Sequence, residues 1–173
     1  MEMQGQNCYR RGMQIYLKPL PQDFLNRVRE RGLDDQLQPV RRYVSTEGGE
    51  PCRDVMRFAR PGEEVILASF CPYTQAGPYK EFGPVYVLAS PSEEEVQRNR
   101  LPLPAGQVET FLGERFALRA YDHSESIIDG ELANAADAEA IVARFLKRPE
   151  VAFVQARFPT HGCFACRIER AND

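Results

Sequence analysis

The chain has 173 residues, 43% of them hydrophobic and 27% charged, with a formal net charge of −3. This length supports a single domain with its own core over residues 1–173, and the composition excludes wholesale disorder. A slightly anionic chain without a Lys/Arg-rich run does not favour nucleic-acid binding.

The sequence also argues against membrane insertion and secretion. No stretch approaches the roughly 20 apolar residues that span a bilayer, and the polar start of the chain lacks the apolar core of a signal peptide. The five cysteines form an odd count, which favours reduced thiols over a disulfide framework. We therefore expect a cytoplasmic protein with a flexible N-terminus over residues 1–11.

The first elements predicted along the chain are a strand over residues 13–17, a helix over residues 21–31 and a weak strand over residues 40–44. Pro21 suits the first turn of the helix, and Asp23 suits its positive end. Gly32 is placed to end it. The predicted core face of this helix comprises Phe24, Leu25 and Val28.

A short helix is predicted over residues 51–59, before the stop at Pro61 and Gly62. Apolar residues recur at helical spacing on one face, and arginines recur on another. The apolar face consists of Cys52, Val55, Met56 and Ala59, and the basic face consists of Arg53, Arg57 and Arg60.

The middle of the chain predicts two strands and a long connection. Residues 65–70 form a nearly continuous apolar run, typical of a strand covered on both faces. Residues 85–88 form the next strand. Residues 91–108, rich in proline and glutamate, predict a long polar connection.

The last third predicts a hairpin from residues 116–121 and 126–128, then a helix, then strands over residues 151–156 and 163–169. The helix is capped by Asn134 or Asp137. Its core face comprises Ala138, Ile141, Val142 and Phe145. The whole pattern predicts one α+β domain, in which about three helices pack against a mixed or mainly antiparallel sheet.

Cys163 and Cys166 form a C-x-x-C pair, which occurs in zinc sites and in thiol redox centres. A zinc site here would need more distant ligands, and too few residues follow Cys166 for the helix that lowers thiol pKa values. In a regular strand the two sulfurs would point to opposite faces, with Phe164, Cys166 and Ile168 on the buried one. Core packing is the favoured interpretation. The alternative is a thiol or zinc cluster of Cys52, His161, Cys163 and Cys166.

The arginines of the predicted short helix follow Gly48 and Gly49, so Arg53, Arg57 and Arg60 could form an anion-binding pocket. The alternative is a solvated face paired with nearby carboxylates, those of Glu50, Asp54 and Glu64. The sequence contains no Walker or dinucleotide-binding loop and no G-x-S-x-G motif, so it shows no recognisable catalytic motif.

Several short blocks together resemble a bacterial family, the domain of unknown function 1203, from about residue 20 to residue 171. The blocks are Gly49–Arg53, Arg60–Glu63, Gly83–Val85, Leu118–Asp122 and Gly162–Arg167. The resemblance implies one domain and a bacterial cytoplasmic setting, with no assigned activity. Its pattern has Cys, His and Cys where this chain has Val55, Leu88 and Ser92, which removes candidate metal ligands. Cys52, Cys163 and Cys166 remain at matching positions.

These observations lead to the expectation of a small binding or interaction domain with structural cysteines and no cofactor. Its partner would be a small anionic ligand or another protein, and a homodimer could form through an exposed sheet edge. The alternative function is that of a thiol-based or zinc-binding protein.

Overall fold

The computed structural model describes residues 13–104 and 110–171. The predicted flexible terminus, residues 1–11, lies outside the described residues, as does the end of the predicted polar connection. The elements in chain order are β1 (Ile15–Lys18), α1 (Gln22–Asn26), β2 (Arg41–Val44), β3 (Pro51–Cys52), β4 (Arg57–Phe58), β5 (Glu64–Phe70), β6 (Gly83–Leu88), β7 (Arg115–Asp122), β8 (Ile127–Asn134), α2 (Ala138–Leu146), β9 (Val151–Arg157) and β10 (Phe164–Arg170).

The ten strands form two sheets of five, which corrects the predicted fold class. The described residues contain only two short helical regions, so the protein is mostly β rather than a single sheet covered by about three helices. Eight of the ten strands overlap predicted ones, and the exceptions are β3 and β4. Their division into two sheets depends on long-range pairing, which a local pattern does not encode.

Sheet I has the strand order β1-β10-β9-β7-β8, and each neighbouring pair is antiparallel. Sheet II has the order β2-β5-β6-β3-β4. Its one parallel contact joins β3 to β6, where Cys52 is the partner of Tyr86. Sheet II is built from the continuous stretch of residues 41–88, whereas sheet I takes β1 from before it and four strands from after it.

Each sheet is covered on one face by a helix. α1 continues as a π-helical segment, Arg27–Arg31, and ends at Gly32 with a φ of 65°. Its predicted core face is confirmed, because Phe24, Leu25 and Val28 are buried against sheet II. The predicted core face of α2 is confirmed as well. It packs on sheet I with Ala138, Ile141, Val142 and Phe145.

The helix predicted over residues 51–59 is wrong. β3, a turn and β4 occupy this segment, and Met56 has a φ of 51°, which no α-helix allows. The apolar residues do pack together, since Cys52, Val55 and Ala59 share a cluster with Val65 and Leu88. A short apolar repeat is compatible with a helix and with two short strands joined by a turn. Pairing of β3 with β6 favours the strands.

The final strand departs from regular alternation at Ala165. Phe164 pairs with Arg157 and Cys166 pairs with Ala156, so Ala165 is an extra residue that forms a β-bulge. Phe164 therefore packs in the cluster beneath α1, whereas Cys166 and Ile168 pack in the core of sheet I. The prediction that these three residues share one face is wrong for this reason.

The described part of the predicted polar connection, residues 91–104, contains no helix or strand. It is nevertheless attached to the body of the protein, since the Leu17 N–H donates to the Arg98 carbonyl at 2.7 Å and Leu101 is buried in the core of sheet I. Within residues 13–104 and 110–171, the helices are all too short or too polar to cross a membrane.

Candidate functional site

The two sheets meet around a cavity of about 960 Å³, here called the inter-sheet cavity. Its first wall is the face of sheet II opposite α1, because Leu67 and Tyr86 alternate along their strands with residues packed beneath the helix. The second wall comes from residues 111–115 at the start of β7 and residues 158–163 between β9 and β10. Gly48, Gly49, Glu50, Pro51, Arg53 and Phe58 also line the cavity.

Arg53 lies at the junction of the two walls and is only 3% exposed. Its backbone N–H donates to the Tyr86 carbonyl at 2.9 Å, which continues the contact between β3 and β6. Its Nε donates to the Phe164 carbonyl at 2.9 Å, and its Nη1 donates to the Pro51 carbonyl at 2.5 Å. Its guanidinium also lies over the Phe158 ring, at 5.1 Å from the centroid. The side chain is therefore held in one orientation from both sheets.

Arg53 has no acidic partner among the described residues, although its guanidinium carries five N–H donors. Burial lowers the pKa of Arg53 to about 10, so the group is still charged at neutral pH. Carbonyl dipoles and a ring face compensate a buried cation only partly. The inter-sheet cavity therefore contains an incompletely neutralised positive charge.

Two other arginines with little exposure to solvent show the contrast. Arg29 forms an ion pair with Asp54 at 2.6 Å, with 10% and 7% of the two side chains exposed. Arg157, 4% exposed, pairs with Glu81 and also donates to Tyr73 Oη and Gln155 Oε1. Both charges are neutralised by carboxylates of the protein, Asp54 and the partly exposed Glu81. The lack of such a partner distinguishes Arg53 from them.

Two glutamates, a second arginine and a histidine also line the inter-sheet cavity: Glu50, Glu114, Arg115 and His161. The Glu50 carboxylate accepts hydrogen bonds from Tyr43 Oη at 3.2 Å and from Ser45 Oγ at 2.5 Å. Tyr43 Oη also lies 3.2 Å from Tyr86 Oη, so a small phenol cluster adjoins Glu50. Glu50, Glu114 and Arg115 form no ion pair within the described residues.

The other two arginines of the predicted anion pocket do not line the inter-sheet cavity. Arg57 donates to the carboxylates of Glu63 and Glu94, and Arg60 pairs with Glu94. Hydrogen bonding to Arg57 lowers the pKa of Glu63 to about 2. Arg57 and Arg60 thus belong to a surface ion-pair network, and the structure separates them from Arg53.

The cysteines occupy different environments. Cys52 is buried beside Val65 and Leu88, and Cys166 is buried in the core of sheet I. Desolvation raises the pKa of each thiol to about 12. Cys163 is half-buried, lines the inter-sheet cavity, and its Sγ lies 3.6 Å from the His161 carbonyl. In the part of the chain that the structure describes, no three His, Cys, Asp or Glu side chains are arranged to hold a metal ion.

We expect Cys52 and Cys166 to resist alkylation in the folded protein, because the thiolate is the reactive species and burial disfavours it. Cys163, which is partly exposed, should react. Iodoacetamide labelling at mildly alkaline pH, followed by peptide mass spectrometry, measures each site. The control is the same labelling in denaturant, where all sites should react. Native labelling of Cys52 or Cys166 at the unfolded rate would contradict this expectation and favour a thiol function.

Sequence reasoning identified Arg53, His161 and Cys163 but missed much of the inter-sheet cavity. Glu50 was interpreted only as a surface partner of arginine, and the aromatic residues were not recognised as site residues. They come from separate segments with no shared motif, so only the fold brings them together. These aromatic residues are Tyr43, Phe58, Tyr86, Phe111 and Phe158.

The fold and the inter-sheet cavity define a class: a mostly β protein of two five-stranded sheets with a ligand-sized space between them. The chain belongs to the family described as Protein of unknown function (DUF1203), whose model matches residues 49–170. This match confirms the resemblance seen in the sequence. None of the curated proteins and none of the solved structures matches the chain.

Proposed function

We propose that this protein binds a small organic anion in the inter-sheet cavity and that Arg53 is the residue that recognises its charge. The observation that carries this proposal is that Arg53, a residue only 3% exposed, lines the cavity without an acidic partner in the described residues. A buried cation is costly unless it is paired. A carboxylate or phosphate oxygen from a ligand would supply the missing partner.

The position of Arg53 suits binding. Its Nε and Nη1 are each used once, on backbone carbonyls, and these bonds fix the plane of the guanidinium before a ligand arrives. The remaining donors have a fork geometry that matches the paired oxygens of an anion. Preorganisation of this kind lowers the entropic cost of binding.

The walls suit the rest of such a ligand. Aromatic residues contribute from both sheets, including Phe58, Tyr86, Phe111 and Phe158. Small-molecule sites are typically concave and largely apolar, with a few polar groups that fix orientation. The inter-sheet cavity therefore favours an organic molecule with an apolar body over a bare inorganic ion.

The test compares 3-phenylpropionate with its neutral amide by isothermal titration calorimetry. We expect the acid to bind more tightly than the amide, because a charge-assisted hydrogen bond contributes about 1.5–3 kcal/mol. Arg53→Gln should remove at least about tenfold of the affinity for the acid. The matched control is Arg60→Gln, which changes an arginine that is 61% exposed, paired with Glu94 and outside the inter-sheet cavity.

Equal affinity for the acid and the amide in the wild-type protein would overturn the proposal, as would equal losses in the two variants. Near-ultraviolet circular dichroism checks that Arg53→Gln keeps its tertiary packing. If that variant does not fold, the comparison of acid and amide in the wild-type protein decides the question.

A further inference from the structure

We infer that the ligand of the inter-sheet cavity is a zwitterion, a compound that carries an ammonium group as well as a carboxylate on an apolar body. This inference rests on the proposed function, because it keeps Arg53 as the carboxylate site. It adds a second recognition group, Glu50, and thereby names the class of ligand.

The charges that line the cavity are balanced and remain apart. Two arginines, Arg53 and Arg115, and two glutamates, Glu50 and Glu114, line it. None of the four forms an ion pair with any described residue. Glu114 and Arg115 are exposed to solvent, whereas Arg53 is buried and Glu50 is half-buried. A ligand with only negative charge would leave Glu50 without a cation, whereas a zwitterion supplies a partner for Arg53 and for Glu50.

Glu50 is the better placed of the two carboxylates to receive an ammonium group. It is half-buried, and hydrogen bonds from Tyr43 and Ser45 hold its two oxygens in place. Those donors are neutral hydroxyls, so the negative charge is oriented but not neutralised. An ammonium group would add the opposite charge that these hydroxyls lack.

The phenol cluster beside Glu50 supports the same assignment. The Tyr43 and Tyr86 rings meet edge to face, with centroids 6.5 Å apart, and both residues line the cavity. Aromatic faces attract ammonium groups, and this attraction strengthens when water is displaced. The cluster and Glu50 together form an environment suited to a cation.

Arg53 and Glu50 border the apolar part of the cavity. They flank β3, and the second wall of the cavity carries Phe111 and Phe158. A compound held by its carboxylate at Arg53 and by its ammonium at Glu50 would place its apolar body against those rings. Amino acids with large apolar side chains, and short peptides of them, have this combination of groups.

The test uses phenylalanine and leucine together with their des-amino analogues, 3-phenylpropionate and 4-methylpentanoate. We expect the wild-type protein to bind at least one amino acid about tenfold or more tightly than its des-amino analogue, as measured by calorimetry. Glu50→Gln, which removes the negative charge and keeps one of the two acceptor oxygens, should abolish this preference. Arg53→Gln should weaken both compounds.

The matched control is Glu47→Gln, which removes an exposed carboxylate from the same loop and should preserve the preference. If the des-amino acids bind as tightly as the amino acids, the inference of a zwitterionic ligand is wrong, whereas the proposed anion site is still supported. If neither amino acids nor des-amino acids bind, both proposals fail. Should Glu50→Gln not fold, the ligand series on the wild-type protein decides alone.

Discussion

Replacing Asp54 with alanine is expected to destabilise the protein by about 3–5 kcal/mol, because it leaves the Arg29 guanidinium buried without its partner. Asp54 lies in the turn between β3 and β4, and its carboxylate pairs with Arg29 at 2.6 Å. It also accepts the Leu88 N–H at 3.2 Å, while Arg29 Nε donates to the Leu88 carbonyl at 3.1 Å. The pair thus connects the helical segment after α1 to the end of β6.

Removing Arg29 and removing Asp54 should lower the free energy of unfolding by different amounts. Burial raises the pKa of the Asp54 carboxyl, because desolvation outweighs the attraction of Arg29 and the nearby N–H groups. In Arg29→Met the remaining carboxyl can take up a proton and become neutral, whereas the guanidinium left in Asp54→Ala cannot lose one. We therefore expect Arg29→Met to be the milder variant.

Urea unfolding of the two single variants and of the double variant Arg29→Met/Asp54→Ala provides the measurement. The double variant should cost clearly less than the sum of the single ones, because it leaves no isolated charge. The exposed pair Arg144 and Glu131, at 59% and 43% side-chain exposure, serves as the control, and breaking it should cost under about 1 kcal/mol. A loss of under about 1 kcal/mol in Asp54→Ala would refute the account.

Gly48→Ala is the second substitution with a large expected effect. Gly48 has a φ of 77°, and a Cβ at this position would lie 2.5 Å from the Ala59 carbonyl oxygen and 3.1 Å from Pro61. The obstacle is backbone, which cannot rotate away as a flexible side chain can. The left-handed conformation alone costs alanine about 1–2 kcal/mol, and the collision adds to this. We expect a total loss of about 3 kcal/mol in the free energy of unfolding.

Gly62→Ala separates these two contributions. Gly62 has a φ of 88° with nothing within 4 Å of an added Cβ, so it carries the conformational cost without the collision. Thermal and urea unfolding of both variants should show Gly48→Ala to be the less stable by at least about 1 kcal/mol. Equal losses would show that the loop shifts freely and that Gly48 is not held against Ala59. Gly48 also lines the inter-sheet cavity, so its variant should bind ligand more weakly.

Local patterns predicted the elements that depend on local interactions. The burial of Phe24, Val28 and Phe145 follows from helical spacing, and the runs that became β5 and β9 follow from their apolar content. The same reasoning failed at residues 51–59, where a helical spacing was satisfied by a turn between two very short strands. A strand of two residues leaves too little pattern to be recognised.

The candidate site was predicted only in part, for a related reason. Arg53 was selected from the sequence as one of three arginines on a helix that does not exist, and its real distinction is the lack of a carboxylate that Arg57 and Arg60 both have. The sequence likewise contains no pattern that predicts the bulge at Ala165. It depends on how β10 fits against β9, and it reversed the expected direction of Phe164.

The strand order of sheet I has a consequence for how the protein acquires its structure during synthesis. Among the described strands, β1 pairs only with β10, with Ile15 opposite Arg170. β1 therefore cannot form its interstrand hydrogen bonds until β10 has been synthesised. Sheet II, drawn from one continuous stretch, can assemble while the ribosome is still translating the strands that follow. Closing so long a loop is slow and entropically costly, so completion of sheet I comes late. The inter-sheet cavity, which needs both sheets, would be the last region to take shape.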